Sequence, residues 1–344
     1  MSNNELDLRV GDWVEVRSAP EILKTLDPNG FVEGLPFMPE MEKFCGKKFR
    51  VFKRAEKVCD TIDKIGMRRM KHAVILERVH CDGASHGGCQ ARCLIFWKES
   101  WLRRIDDSAQ RTGSVQEQCP TIQISRNRSK LSGGPALSLS AITSVSGQNH
   151  SAENGLYTCQ ITELKKATTP VNWWDVRVLL RDVTSGNVSL TRSVRGMLIL
   201  LFNKAQELRG GMHFPFIEET AKLRVTPKGD LNLRPGELVE VKTKEEILQT
   251  LDANYKNRGL WFDIEMLKHC GKQYRVLHRV EKLIEERTGK LRLIPNDCVV
   301  LDDVLCVGEC HEYCARSEYL FWREVWLKRV QTQEVSKAAM AQAG

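Results

Sequence analysis

The strongest constraint on the fold of this chain is a long internal repeat. Residues 9–57 begin RVGDWVEVRSAPEILKTLD and end FCGKKFRVFKRAEK, and residues 234–282 begin RPGELVEVKTKEEILQTLD and end HCGKQYRVLHRVEK. The same offset of 225 residues aligns FWKESWLRRI, which starts at residue 96, with FWREVWLKRV, which starts at residue 321. A repeat of this length predicts two similar domains in tandem rather than one large core.

Each copy of the repeat has the pattern of a β-rich module with one short helix. Apolar and polar residues alternate in GDWVEV, GKKFRVFKR and AVILERV, and again in GELVEV, GKQYRVLHR and CVVLDDV, which indicates half-buried strands. EILKTLD and EILQTLD place apolar residues at helical spacing. We therefore predict an α+β fold in which two small, barrel-like antiparallel β modules are joined by a flexible linker and a helical middle segment.

Composition predicts the boundaries of the remaining segments. Residues 106–155 are rich in Ser, Gly, Asn and Thr, which is typical of a flexible linker. Two helices are predicted after it: one starts at Pro170 in PVNWWDVRVLLRDV, and the second, VSLTRSVRGMLILLFNKAQELRGG, ends at a double glycine. The predicted segments are a tail at 1–8, the first module at 9–105, the linker at 106–155, the helical middle at 156–212, a connector at 213–233, the second module at 234–331 and a tail at 332–344.

The opening strand of each copy also resembles a known class of small barrel. GDWVEV, with its turn glycine, is similar to the first strand of Src-homology-3-like and KOW-type barrels. The chain as a whole resembles uncharacterised bacterial proteins with two GDWVEVRS-type halves. That resemblance implies the fold of each half and no particular activity.

The cysteine content points to metal binding or redox chemistry. The chain has 12 cysteines spread over 344 residues, and its start, MSNNELDLRVGDW, lacks the apolar run of a secretion signal. We therefore expect a cytoplasmic protein, where thiols stay reduced and disulfide frameworks are rare. The most apolar run, MLILLF at 197–202, is too short to span a membrane and is interpreted as part of a buried helix.

The two copies show which soft ligands are present at matching positions. At the offset of 225 residues the matched pairs are Cys45 with Cys270, Cys81 with Cys306, His86 with His311, and Cys89 with Cys314. Three thiolates and one imidazole form a common tetrahedral zinc shell. The predicted function is therefore a metal-binding scaffold or accessory protein with one Cys/His site per module and zinc as the first choice of metal. The interpretation of Cys45 and Cys270 as core residues stays open.

Other cysteines of the loops keep alternatives open. Cys93 and Cys310 each occur in one copy only, and they are included in the candidate metal set. An iron-sulfur cluster would take its thiolates from Cys81, Cys89 and Cys93 with Cys45 or Cys59, and in the second copy from Cys306, Cys310 and Cys314 with Cys270. Redox pairing of thiols is a weaker alternative, because these loops lack a CxxC motif.

Two further functions stay as alternatives. A metalloenzyme would have its active site at the first loop, where His80, Asp82 and His86 lie near the candidate ligands. A nucleic-acid-binding tandem barrel would use the basic first module, for example KKFRVFKR at 47–54, although the formal net charge of the whole chain is only +8. The sequence lacks the common nucleotide-binding, zinc-protease and serine-hydrolase motifs. We expect a protein or small-molecule partner and no membrane association.

Overall fold

The fold is described by a computed structural model of the chain. It covers residues 6–63, 66–105, 155–172, 174–212, 214, 220–309 and 311–330. The predicted linker at 106–155, except Gly155, lies outside the described residues, as do the predicted tail at 332–344 and Cys310.

The first module is an antiparallel β structure. Five of its strands form one sheet in the order β8-β7-β4-β1-β9, so the last strand lies beside the first. The module also contains helix α1 (Ala19–Leu23) and two 3-10 helices, Pro39–Phe44 and Glu99–Trp101. Its strands are β1 (Trp13–Val16), β2 (Phe31–Val32), β3 (Leu35–Pro36), β4 (Lys48–Arg54), β5 (Val58–Cys59), β6 (Met67–Arg69), β7 (Ala73–His80), β8 (Leu94–Lys98) and β9 (Leu102–Arg104).

The middle segment contributes both helices and a strand. Its elements are α2 (Leu164–Ala167), β10 (Thr169–Val171), α3 (Val176–Thr184) and α4 (Leu190–Arg209). Strand β10 pairs with β6, so this part of the segment extends a sheet of the first module. The predicted helix start at Pro170 is wrong, because Pro170 lies in β10 opposite Arg68 and the helix begins only after Asp175, whose carboxylate accepts the N–H of Arg177.

The second module has the same strand order in its main sheet, β18-β17-β14-β11-β19. It contains helix α5 (Lys244–Leu248) and the 3-10 helices Ile264–His269 and Glu324–Trp326. Its strands are β11 (Leu238–Val241), β12 (Lys256–Asn257), β13 (Leu260–Trp261), β14 (Gln273–Arg279), β15 (Lys282–Ile284), β16 (Leu291–Leu293), β17 (Cys298–Leu305), β18 (Tyr319–Arg323) and β19 (Leu327–Arg329).

The strand registers of the two sheets match at the offset of the sequence repeat. Trp13 lies opposite Arg50 in the first sheet, and Leu238 lies opposite Arg275 in the second. Both sheets also have an irregularity one strand further on, between Val51 and Lys53 and at the equivalent place in β14. These features are consistent with two tandem β modules, and they follow from the strand patterns that the two copies share.

Buried tryptophans occupy equivalent places in the two cores. Trp97 and Trp101 are fully buried in the first module, and Trp322 and Trp326 are fully buried in the second. The indole N–H of Trp101 donates to the Thr25 hydroxyl at 3.1 Å, and that of Trp326 donates to Thr250 at 2.9 Å. Burial of such large side chains contributes several kcal/mol each at roughly 25 cal/mol per Å² of apolar surface.

Helix α4 differs from its predicted environment. The expectation that MLILLF is buried is wrong, because Leu198 is 59% exposed and Leu201 is 52% exposed. Helical spacing predicts an apolar face but does not say what covers that face. The helix ends at Arg209 and is capped by Gly210, which adopts a left-handed conformation with φ of 67°. Among the described residues, no helix has both the length and the apolar character needed to cross a membrane.

Candidate metal centre

Three metal-ligating side chains converge in the first module: Glu40, Cys81 and His86. Oε1 of Glu40 lies 2.9 Å from Nδ1 of His86 and 3.0 Å from Sγ of Cys81. The Cys81 Sγ is 3.9 Å from the same His86 nitrogen. Ligand atoms around a tetrahedral zinc ion are separated by roughly 3.3 to 3.6 Å, given metal–ligand bonds of about 2.0 to 2.3 Å. The group could therefore hold a metal ion after small side-chain shifts.

Local structure brings the three ligands together. Glu40 lies in the 3-10 helix Pro39–Phe44, which begins with a proline, and Cys81 follows the last residue of β7. The loop then turns back at Gly83, where φ is +72° and an added Cβ would lie 2.0 Å from the carbonyl oxygen of Cys89. Only glycine fits this turn, which carries His86 back over Cys81.

Burial and hydrogen bonding set the charges of the group. Burial opposes ionisation of Glu40, but hydrogen bonds and charge from His86, with smaller effects from Cys81 and Ser85, outweigh it and lower the pKa of Glu40 to about 2. Burial and the neighbouring Glu40 carboxylate raise the pKa of Cys81. At neutral pH the metal-free group therefore contains an ionised carboxylate and a protonated thiol, and a metal ion would have to displace the thiol proton.

A cavity of about 60 Å³ lies beside the group. Its lining includes Cys81 and His86 together with three further cysteines, Cys89, Cys93 and Cys159. Cys159 belongs to the middle segment and was not among the predicted ligands. Burial raises the pKa of Cys159 to about 11, so this thiol is protonated when no metal is bound. The same cavity is therefore lined by thiols that do not belong to the group of three.

The predicted ligands Cys45 and Cys270 lie apart from this group. Cys45 follows the 3-10 helix Pro39–Phe44 and packs against the first core, and Cys270 occupies the equivalent position against the second core. Burial raises the pKa of each thiol to about 11. Their role as ligands stays a prediction, and their described contacts are those of core residues.

The equivalent loop of the second module is arranged differently. Nε2 of His311 lies 3.0 and 3.1 Å from the two carboxylate oxygens of Asp263. Cys306 has its pKa raised to about 12 by burial and by Glu265, and Cys314 contacts Cys59 of the first module. Within the described residues no second group of three ligands is as close as the first, and Cys310 lies outside them.

The loop between β7 and β8 contacts the second module, and the equivalent loop between β17 and β18 contacts the first module. The Gln90 N–H donates to the carbonyl of Lys282 at 3.1 Å, and at the repeat offset the Ala315 N–H donates to the carbonyl of Lys57 at 2.7 Å. Each loop therefore pairs with the β5 or β15 strand region of the other module. Such reciprocal contacts are the pattern of a two-fold interface within one chain.

Glu40 is the candidate ligand that sequence reasoning missed. It lies in the largely apolar stretch LPFMPEMEKF, and the second copy has Glu265 at the matching position. Both carboxylates are buried, with Glu40 at 7% and Glu265 at 2% exposure. The comparison that selected the matched cysteines would also have selected this matched acidic residue, because an acid in an apolar segment usually needs a partner.

Several positively charged side chains of the first module form ion pairs or hydrogen bonds within the fold. Arg54 is buried and pairs with Glu99 at 2.8 Å, and Lys53 donates to the Ser317 hydroxyl at 2.8 Å. Arg68 is also buried, and its guanidinium donates to the Thr168 hydroxyl at 2.7 Å. These side chains are therefore not presented as a continuous basic surface.

No model of a protein family matches this chain, and none of the curated proteins does.

Proposed function

We propose that the chain is a zinc-binding scaffold protein whose first module holds the ion with Glu40, Cys81 and His86. The observation that carries this proposal is the convergence of one carboxylate, one thiol and one imidazole within 4.8 Å of one another. Zinc accepts this mixture of oxygen, sulfur and nitrogen ligands. Cys89, Cys93 or Cys159 from the adjoining cavity supplies the fourth ligand and closes the site.

In this proposal the ion has a structural role and cross-links two segments of the chain. It ties the 3-10 helix Pro39–Phe44 to the loop after β7, two segments about forty residues apart in sequence. Closing a loop of that length lowers the entropy of the unfolded chain, and the metal adds its own binding free energy to the folded state. A matching site at Cys306 and His311, which would give one ion per module, is part of the proposal.

Elemental analysis of freshly purified full-length protein tests the proposal. We expect at least one zinc per chain, and one fewer in Cys81→Ser, because the thiolate ligand is lost. Cys298→Ser is the matched control, since Cys298 is a buried thiol of β17 in the core of the second module. Zinc content that is unchanged in both Cys81→Ser and His86→Ala would refute the assignment.

An iron-sulfur cluster is the second candidate, and one observation favours it. Four cysteines line the same cavity: Cys81, Cys89, Cys93 and Cys159. Four thiolates are the usual ligand set of such a cluster. An absorption spectrum separates the two candidates, because a cluster is coloured and contains iron with acid-labile sulfide, whereas zinc has no visible absorption.

The proposal also covers the cellular location, the barrel type of the modules and the kind of partner. We propose a cytoplasmic protein whose modules are Src-homology-3-like barrels, and the strand order with β9 beside β1 supports that assignment. A protein partner fits a scaffold role best. The metalloenzyme and nucleic-acid alternatives stay predictions: an enzyme would keep its fourth metal position open to water, and a nucleic-acid binder would lose affinity steeply with salt.

A further inference from the structure

A pair of thiols bridges the two modules. Sγ of Cys59, at the end of β5 in the first module, lies 3.1 Å from Sγ of Cys314 in the second. The Cys59 backbone N–H also donates to the Cys314 sulfur at 3.1 Å. Cys314 is only 3% exposed, and Cys59 is half-buried. The two sulfurs are thus held in contact by the fold, although 255 residues separate them in the chain.

The opposite side of the same interface provides an internal comparison. There Cys89, which matches Cys314 at the repeat offset, accepts the backbone N–H of Ile284 at 3.4 Å. Ile284 matches Cys59, so the backbone contact is present on both sides and the second thiol on one side only. Among the described residues of this interface, one side therefore has a cross-module thiol pair, and the other side has an equivalent contact that cannot form a disulfide.

We propose that Cys59 and Cys314 are an oxidation site, at which a peroxide converts the two thiols into a disulfide that links the modules covalently. This inference does not depend on the proposed metal centre of the first module, because neither sulfur belongs to the group formed by Glu40, Cys81 and His86. A small oxidant is required, since a buried sulfur excludes bulky disulfides such as glutathione disulfide.

The chemistry balances with one hydrogen peroxide per pair. One of the two sulfurs, as a thiolate, attacks one peroxide oxygen, an S–O bond forms, the O–O bond breaks, and hydroxide leaves, which makes a sulfenic acid. The other sulfur then attacks the sulfenic sulfur, the S–S bond forms, the S–O bond breaks, and the hydroxyl leaves as water with the remaining thiol proton. Two thiols lose two electrons and two protons in total, and the peroxide becomes two waters.

The surroundings of the pair support reaction at this place. Arg316, two residues from Cys314, is buried and is held by Glu286 and by Thr61 of the first module. A neighbouring guanidinium favours the thiolate form of a cysteine. Because the two sulfurs are in contact, either one can resolve a sulfenic acid that forms on the other.

Peptide mapping of the full-length chain without reduction tests the proposal, and the wild-type protein is sufficient. After treatment with hydrogen peroxide, we expect the loss of two free thiols per chain and a linked peptide pair that contains Cys59 and Cys314. Dithiothreitol should restore both thiols. The proposal is overturned if both cysteines remain separately alkylated, or if they resist peroxide until a chelator removes a bound metal.

Three variants extend the test. Cys59→Ser should give no link, whereas Cys298→Ser should form the link as the wild type does. Ile284→Cys should add a second link, to Cys89. A folded Ile284→Cys protein that forms neither link would show that this interface does not hold its sulfurs in contact.

Discussion

At the scale of single residues, the Glu40 carboxylate links the polar chemistry of the site to the apolar core around it. It accepts hydrogen bonds from Cys81 and pairs with His86 at 2.9 Å. Replacing it by glutamine keeps the shape but removes the charge that a cation would need. We expect Glu40→Gln to weaken zinc binding by about tenfold or more, a loss like that seen when partners of metal ligands are removed.

Competition with a chromogenic chelator measures this affinity. Glu265→Gln is the matched control, because Glu265 occupies the same position in the second module and bonds Lys268 at 2.9 Å. It should leave the affinity of the first site unchanged. Equal loss of affinity in both variants would contradict a ligand role for Glu40.

The pH dependence of zinc binding follows from the charges of the same group. The pKa of Cys81 is raised, so its thiol is protonated at neutral pH, whereas Glu40 is already ionised because its pKa is lowered to about 2. Zinc must displace the thiol proton, so the affinity should rise about tenfold for each pH unit between pH 6 and 8. Chelator competition at several pH values checks this slope, and an affinity independent of pH would contradict it.

Residue-level reasoning from the sequence identified Cys81 and His86 but not their partner. Both residues have a counterpart of the same type at the matched position of the other copy, so a comparison of the two copies in the sequence is enough to select them. The contact between Cys59 and Cys314 is different, because it depends on how two folded modules pack. No local pattern in the sequence carries that information.

At the scale of elements, the loop between β7 and β8 forms only if its glycines keep their conformation. We expect Gly83→Ala to destabilise this loop and release zinc, because φ is +72° and the new Cβ would clash with the Cys89 backbone. Gly46→Ala is the matched control, since φ is +73° there and no atom lies within 4 Å of an added Cβ. It should cost only about 1 kcal/mol of backbone strain and keep the zinc.

Urea unfolding and zinc content, measured on both variants, decide this point. A Gly83→Ala protein with the zinc content and stability of Gly46→Ala would show that the turn does not hold the ligands.

The exposed face of α4 predicts that substitutions on it have little effect on the stability of the chain. Leu201 is 52% exposed, so we expect Leu201→Gln to change the free energy of unfolding by no more than about 0.5 kcal/mol. Leu76→Ala in β7, a fully buried position, should cost about 2 to 5 kcal/mol. Thermal or urea denaturation compares the two. A large loss in Leu201→Gln would mean that α4 packs its apolar face within the chain.

The elements themselves were the most predictable part of the fold. Strands such as β1 and β11 were found because a half-buried strand must alternate its side chains. The start of α3 was misplaced, because Pro170 suits the first turn of a helix and also an edge strand. Periodicity cannot choose between these two positions, and the pairing of β10 with β6 decides the outcome.

At the scale of the whole molecule, the two modules share one interface that includes a buried cation. Arg316 of the second module is 2% exposed, donates to Thr61 of the first, and is paired with Glu286 and Glu318. Arg316→Met should leave both carboxylates uncompensated and destabilise the chain by about 3 kcal/mol. Because the modules contact each other reciprocally, we expect urea to unfold Arg316→Met in a single transition at a lower concentration than the wild type. Loss of stability in the second module alone would contradict this coupling.

If Glu40, Cys81 and His86 bind the same zinc ion, X-ray absorption at the zinc edge of the purified full-length protein should show their ligand atoms. We expect a mixed shell, with two sulfur ligands at about 2.3 Å and nitrogen or oxygen ligands at about 2.0 to 2.2 Å. The sulfur contribution should fall in Cys81→Ser. A shell of four sulfurs, or the absence of sulfur, would refute the binding of one zinc ion by these three residues.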